Sequence, residues 1–402
     1  MIVDKSQGVA RVTIAPRMAR PFFAHHPWVF AGSIARVEGG PSPGQEVVVE
    51  SFERQFIGRG FFNPTSAIRV RLYDWIDRPL TNEIWRERIR VAIELRGQVL
   101  GLGGDRAAYR LIYSESDGLS GLVVDRYDRW LVAQVTSLAI QQRLDQIIPI
   151  LAETPGIEGI VLRTERSIEA KEGMSHLDET AWGTVPDTDI SIVENGIEYE
   201  LSLAAGQKTG FYCDQRDNRV AASRYSPGSS VLDLFCFTGA FGLNAIKHGQ
   251  ASSVLGIDAS ASAIEAARRN AERNQMGHAQ FEVGDVFTTL DRLRTEGRKF
   301  GKVICDPPKF TQRAGTVPDA MKGYLRLNRA AVDVVEPGGI LITCSCSGLI
   351  DRAIMAEMLA QVAEFSGRSI QILEIRSQAP DHPISVACPE TGYLKCFICR
   401  VN

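Results

Sequence analysis

Two cysteines separated by one serine, Cys344 and Cys346 in "TCSCSG", close the apolar run "GGILITCSCSG". Such a pair could be half of a metal site, a disulfide, inert core or a nucleophile. A metal site would have to recruit Cys396 and Cys399 from "KCFICRV". Residues three apart on a strand face opposite sides, and zinc knuckles favour loops, so no metal is expected. A disulfide across one intervening residue would close a strained ring. A second motif, "DPPKF", sets Asp306 before Pro307 and Pro308, a rigid turn without backbone donors. Phe310 follows, where it could stack on a planar ring or simply enter the core.

Four carboxylates recur at the ends of apolar segments. Asp233 and Phe235 stand in "LDLFCFTGAFG" before Gly239, where the chain must turn into a helix. Asp258 follows 19 residues after Gly239, and a carboxylate there accepts hydrogen bonds from both ribose hydroxyls. Asp285 and Val286 are placed to hold an adenine amino group and cover its ring, and Asp306 ends the fourth segment. A dinucleotide fold wants G-x-G-x-x-G, but here Cys236, Phe237 and Thr238 fill the run and leave only Gly239 and Gly242. Each aspartate alone serves equally as a cap or turn residue. Four in register fit S-adenosylmethionine, whose ammonium and ribose both want carboxylates, better than a nicotinamide dinucleotide.

A thiolate beside a methyl donor suits methylation at carbon 5 of a pyrimidine. That carbon is a poor nucleophile until a group adds to carbon 6, and thiolate adds well. Asp306 could then supply a proton or hydrogen bond to the ring edge. Cys344 and Cys346 share strand parity, but Cys346 lies nearer the carboxyl end, where open α/β sheets bind their ligands. Cys346 is therefore the expected nucleophile and Cys344 its packed neighbour. Two other readings stay open: a base methyltransferase acting on another atom without covalent help, and a non-catalytic RNA-binding or assembly protein with a vestigial pocket.

The elements that must position these residues follow from periodicity. Beyond residue 206 strand and helix candidates alternate, which predicts a parallel, doubly wound sheet of seven strands. The last strand follows the sixth without room for a crossover helix, so it should run antiparallel. Residues 1–75 read as short strands and turns, a small β-barrel. Residues 80–185 mix strands and helices as a central α+β domain, and 190–205 form a hairpin turning at Asn195-Gly196. The class is α/β overall, with the chemistry in 206–402.

The whole chain of 402 residues carries net charge -3, yet residues 1–75 hold 9 Lys/Arg against 6 Asp/Glu. That local excess is a weak sign of a phosphate-facing surface, with Arg59, Arg69 and Arg71 as candidate contacts. No apolar run approaches the length of a membrane span, and "MIVDKSQGVARV" lacks a signal-peptide pattern. A cytoplasmic protein is expected. All 8 cysteines lie beyond residue 212, where a reducing compartment leaves burial or chemistry to explain them.

The series "KTGFYCDQRDNR", "LDLFCFTGAFG", "GID", "GD", "CDPPKF", "TCSCSG" and "DHP…YLKCF" resembles the bacterial PUA-containing class I RNA methyltransferases. Within them it is most similar to the group that makes 5-methylcytosine in large-subunit (23S) ribosomal RNA. "HHPWVFAGSI" and "GRGFFNPTSAIRVRL" are similar to the N-terminal PUA domain of that family, an RNA-binding β-barrel. The resemblance implies a Rossmann-like catalytic domain, S-adenosylmethionine as cofactor, ribosomal RNA as partner, and a cysteine at the position of Cys346. It also implies that Tyr212, Asp214 and Gln215 help form the cofactor pocket. It allows a homodimer, for which the sequence itself offers no sign.

Overall fold

A computed structural model describes residues 9–203, 210–310, 315 and 317–402. The chain divides into two compact units. One holds the chain up to Ile190 with Leu201–Phe211 and Asp381–Thr391; the other holds Ser191–Glu200, Tyr212–Pro380 and Gly392–Asn402.

The first unit begins with a six-stranded sheet ordered Trp28–Phe30, Ile68–Asp74, Phe56–Phe62, Glu46–Glu50, Arg11–Ile14, Ile34–Glu38. Alternate residues of these strands, among them Val12, Ile14, Val47, Val49, Val70 and Leu72, enclose one buried cluster, which gives the sheet its barrel-like curl. Beyond it, a five-stranded sheet spans Ala108–Tyr113 to Asp178–Gly183 and packs helices Asn82–Glu94 and Leu144–Ala152. Phe61 and Tyr73 of the first sheet join its core, so the two sheets of this unit share one apolar interior.

The segment Asp381–Thr391 returns to this unit late in the chain. Arg96, fully buried, donates to the Asp381 carbonyl at 2.7 Å, and the Asp381 Oδ2 accepts from the Arg110 N–H at 2.9 Å. The Tyr113 hydroxyl donates to the Thr391 carbonyl at 2.8 Å. The "DHP" motif is thus a clasp within this unit.

The second unit is built on a seven-stranded sheet. Its strands in chain order are Ser230–Leu234, Ser253–Asp258, Ala279–Val283, Phe300–Cys305, Val335–Ser345, Ile370–Arg376 and Lys395–Val401. They lie in the spatial order third, second, first, fourth, fifth, seventh, sixth. The first five are parallel, and the seventh pairs antiparallel with both the fifth and the sixth, in agreement with the sequence. Strand parity divides the core. Leu232, Leu234, Val303, Cys305, Leu341, Phe397 and Cys399 meet helices Val286–Thr295, Val317–Asp333 and Arg352–Ser366 on one face. Val231, Ile304, Ile340, Ile342, Cys344, Cys396 and Ile398 meet helices Arg216–Ser223 and Ala240–Gly249 on the other. A hairpin of Ile190–Glu194 and Ile197–Leu201 turns at Asn195 and Gly196, both left-handed (φ 53° and 72°). Among the described residues, no helix is long and apolar enough to cross a membrane.

Candidate active site

In an open parallel sheet the strand carboxyl ends face one crevice, beside the point where strand order reverses. Here that point lies between the first and fourth strands, which end at Leu234 and Cys305. The chain leaves the first strand through three left-handed residues, Phe235, Phe237 and Gly239, at φ 61°, 48° and 80°. Two of them are not glycine, a backbone cost of roughly 1 kcal/mol or more each that the surroundings must hold in place. They do so through three bonds. The Asp258 Oδ2 accepts from the Phe237 N–H at 2.9 Å, the Ile257 carbonyl from the Cys236 N–H at 3.0 Å, and the Cys236 carbonyl from the Gly239 N–H at 2.8 Å. Gly239 is required twice over, since a Cβ there would also sit 2.7 Å from the Phe281 ring.

Asp233 is 1% exposed. Its Oδ2 accepts from the Gly242 N–H at 2.9 Å, while its Oδ1 has no hydrogen-bond partner. Burial first, then the charges of Asp306 and Asp258, push its pKa up to about 7 despite that bond. The Thr238 hydroxyl in the same loop is likewise buried and unpartnered. An orphaned carboxylate oxygen and hydroxyl beside a crevice are what a cationic, hydroxyl-rich ligand would satisfy. Asp258 is half-buried and spends one lone pair per oxygen, on the Phe237 and Ser260 N–H groups, keeping capacity for a ribose. These residues fit S-adenosylmethionine.

Three cofactor assignments change. Asp285 is exposed and caps helix Val286–Thr295 through the Thr288 N–H at 2.8 Å, so its Oδ1 is already engaged. Val286 is 3% exposed and belongs to the core with Leu255 and Ile257. The half-buried ring beside Asp285 is Phe287, with the Arg326 guanidinium 4.4 Å over it. Gln215 is also buried. Its amide nitrogen donates to the Asp306 Oδ2 at 3.1 Å and its oxygen accepts from Asn218 at 2.7 Å. It therefore acts through Asp306 and offers no face of its own to a cofactor.

Asp306 is half-buried just past the fourth strand. Burial and then the Asp214 charge raise its pKa to about 7, against the opposing effect of Arg219 and the Gln215 bond. Asp214 accepts from the Tyr393 hydroxyl through Oδ2, while its buried Oδ1 has no partner. Pro307 is buried and Pro308 exposed; Phe310 is half-buried, its ring 4.7 Å from that of Tyr324. One face of Phe310 is thus committed to Tyr324.

The two cysteines part company at the end of the fifth strand. Cys344 is fully buried, opposite Cys396 in register, and a thiol–thiol hydrogen bond followed by burial drives its pKa far up. Cys346 stands one residue beyond the strand and is the one cysteine of the eight that is not buried. Burial alone pushes the Tyr324 hydroxyl above its ordinary range, and the charges of Cys346 and Asp306 push it further. Tyr212 lies 44% exposed with its ring edge-on to Phe237 at 5.3 Å. Burial, then Asp306, Asp214, Cys346 and Asp258, raise its pKa to about 12. Both phenols therefore feel the charges of Cys346 and Asp306, which follow the ends of two paired strands.

Cys396 and Cys399 fall on opposite faces of the seventh strand, so they form no set with Cys344 and Cys346. Among the described residues one group of possible metal donors lies close together: His26, Cys388 and Glu390 in the first unit. These three are already bonded to one another, Glu390 to His26 at 3.4 Å and to Cys388 at 3.5 Å.

The arginine assignments also need correction. Arg71 is 8% exposed and locked between Glu115 (3.4 Å) and Glu172 (3.1 Å). It is an internal strut of the first unit. Arg59 is half-buried and paired with Glu46 (2.8 Å) and Asp77 (2.7 Å). Arg69 is half-buried and donates to the Pro64 and Ser66 carbonyls. Residues that sequence reasoning passed over are Tyr324, Tyr393 and Lys395. Only Lys395 left a mark, as a charge at the start of a largely apolar strand. Thr209 of "TGFYCDQRDNR" lies outside the described residues.

Comparison with known proteins gives the family. The S-adenosylmethionine-dependent methyltransferase family profile matches residues 173–398, and a PUA-like domain matches 12–75. A ribosomal RNA large subunit methyltransferase I from Photobacterium profundum is 39% identical, covering 94% of this chain and 96% of its own. The protein of the same name from Pseudoalteromonas atlantica is 37% identical over 98% and 99%. A SAM-dependent methyltransferase structure from Streptococcus mutans superposes with a TM-score of 0.84 at 19% identity, covering 97% of this chain and 99% of its own. A methyltransferase structure complexed with SAH superposes at 0.83 and 20%, with the same coverage. The protein belongs to the S-adenosylmethionine-dependent methyltransferase family that includes these ribosomal RNA large subunit methyltransferases I, and it carries a PUA-like domain ahead of the catalytic sheet.

Proposed function

We propose that this cytosolic enzyme methylates carbon 5 of a cytidine in 23S ribosomal RNA, with Cys346 as covalent nucleophile. The observation that carries the reading is the position of Cys346, the one cysteine that is not buried, just past the end of the fifth strand, while Asp306 stands just past the end of the neighbouring fourth. The names of the most similar relatives and the PUA-like domain support ribosomal RNA as substrate.

Asp233, Thr238, Asp258 and the Phe235–Gly239 turn would hold S-adenosylmethionine, which supplies an electrophilic methyl group on its sulfonium. With a pKa near 7, Asp306 carries its proton in about half of the molecules at neutral pH and can donate to the ring nitrogen at position 3. That donation draws electrons from carbon 6. The Cys346 thiolate then forms a C–S bond at carbon 6, and the displaced pair makes carbon 5 the nucleophile that accepts the methyl group. Loss of the carbon 5 proton to a base restores the 5,6 double bond and expels the thiolate, while the ring nitrogen returns its proton to Asp306, so both side chains are regenerated. A partly closed site between the proline turn and Tyr324 would keep the extruded base dry during these steps. Of the three arginines considered for RNA contact, Arg69 has no carboxylate partner among the described residues and is the one we retain.

Nucleoside mass spectrometry of 23S RNA from cells lacking the protein tests this. Complementation with the native protein or with Cys344→Ala should restore one 5-methylcytidine, and Cys346→Ala should not. Restoration by Cys346→Ala, or a mark on another atom, rejects the covalent reading.

A further inference from the structure

Lys395 opens the seventh strand opposite Ser345, the last paired residue before Cys346. The residue is 6% exposed, and its ammonium donates to the Ser347 carbonyl and, at 2.6 Å, to the Tyr393 carbonyl. Among the described residues no carboxylate forms an ion pair with it, although buried ammonium groups normally have such a partner. Among the described residues, Cys346 and Asp351 favour the cation and Lys309 opposes it. Ser345, which Lys395 opposes, and Ser347, whose carbonyl it holds, are the residues on either side of Cys346, so the segment that carries the thiol is fastened to a cation.

We propose that Lys395 is the positioning residue of the nucleophile, pinning the loop through the Ser347 carbonyl and stabilising the Cys346 thiolate with its buried positive charge. The proton released when the thiol ionises goes to water. The cation is set beside the segment that carries Cys346 because the antiparallel seventh strand begins where the fifth ends. A purely structural lysine would satisfy the two carbonyls equally well, but its charge would not matter. Burial lowers the Lys395 pKa to about 8, so the cation prevails at neutral pH and is lost just above it. This inference rests on Cys346 being the nucleophile, yet its test reads the thiol itself and stands apart from turnover.

The experiment follows carboxamidomethylation of Cys346 against pH by peptide mass spectrometry in the full-length protein. In Lys395→Gln, which keeps a hydrogen-bond donor without the charge, the half-maximal pH should rise by about one unit, a tenfold slower reaction at neutral pH. Lys395→Arg should restore the native profile. If Lys395→Gln does not fold, the native protein still decides. Anionic iodoacetate should then react faster relative to neutral iodoacetamide at Cys346 than at a cysteine in a short peptide. An unchanged profile in folded Lys395→Gln, or no preference for the anionic reagent, overturns the proposal. Methyl transfer by Cys346→Ala would instead overturn the covalent mechanism and leave this result in place.

Discussion

Replacing Asp233 by asparagine should make the catalytic unit more stable at alkaline pH while weakening its hold on the cofactor. The carboxyl is fully enclosed, with one oxygen bonded to the Gly242 N–H and the other unpartnered. Its pKa rises from 3.8 to about 7. Between those values the folded protein retains a proton that the unfolded chain has released. Stability is therefore highest at acid pH and falls as pH rises through about 7. The full shift of about three units corresponds to roughly 4 kcal/mol at 1.36 kcal/mol per unit. A window from about pH 5.5 to 8.5 captures roughly half, about 2 kcal/mol. Asparagine removes this titration. Its amide left without an acceptor costs about 1–3 kcal/mol, but at every pH alike. The quantity to measure is thus the change in the difference between native and variant protein across the window. All five tryptophans lie between Trp28 and Trp182, so fluorescence follows the first unit. Hydrogen exchange of peptides covering residues 230–258 reads the second. The variant should gain about 2 kcal/mol relative to the native protein between the two pH values, and its S-adenosylmethionine affinity should fall about a hundredfold by calorimetry. Parallel pH dependence of the two proteins would refute the assignment of a buried, protonated Asp233.

Three further outcomes follow from the same contacts. Asp306→Asn should lose most activity and abolish the fall in rate above about pH 7 that the native enzyme shows as Asp306 deprotonates, as read from a pH–rate profile. Gly256→Ala would place a Cβ 2.4 Å from the Phe281 ring and 3.0 Å from the Cys236 sulfur. It should destabilise the second unit by about 1–3 kcal/mol in hydrogen exchange, through the support of the cofactor loop. Arg71→Ala leaves Glu115 and Glu172 without their shared cation, so tryptophan fluorescence in urea should report a loss of about 3–5 kcal/mol from the first unit. The salt dependence of RNA binding should be unchanged in protein that remains folded.

The catalytic sheet was legible because its signals are local. Alternating apolar strands and amphipathic helices dictate a doubly wound sheet, and the missing crossover before "YLKCFICRV" reverses the last strand. The distinction between Cys344 and Cys346 was legible for the same reason, since it depends only on distance from the strand end. Side-chain partners across the fold were not. Gln215 reaches Asp306 across 91 positions, and nothing near either residue announces the bond. Val286 and Phe287 are both apolar, and only the helix phase set by the Asp285 cap decides which one is buried. Arg71 reads as a surface charge until Glu115 and Glu172 arrive from elsewhere in the same unit. The return of Asp381–Thr391 to the first unit follows from the buried Arg96, which the sequence shows as one arginine among many.

Covalent trapping reads the Cys346 adduct itself. RNA carrying 5-fluorocytidine, once methylated, has no carbon 5 proton to lose and holds its nucleophile in place. Incubated with the protein and S-adenosylmethionine, it should give a stable adduct. Trypsin places Cys344 and Cys346 together in the peptide Ala330–Arg352, so fragmentation must assign the sulfur. Attachment at Cys346 is expected, retained in Cys344→Ala and lost in Cys346→Ala. An adduct on Cys344, or methylated RNA released without any adduct, would contradict it.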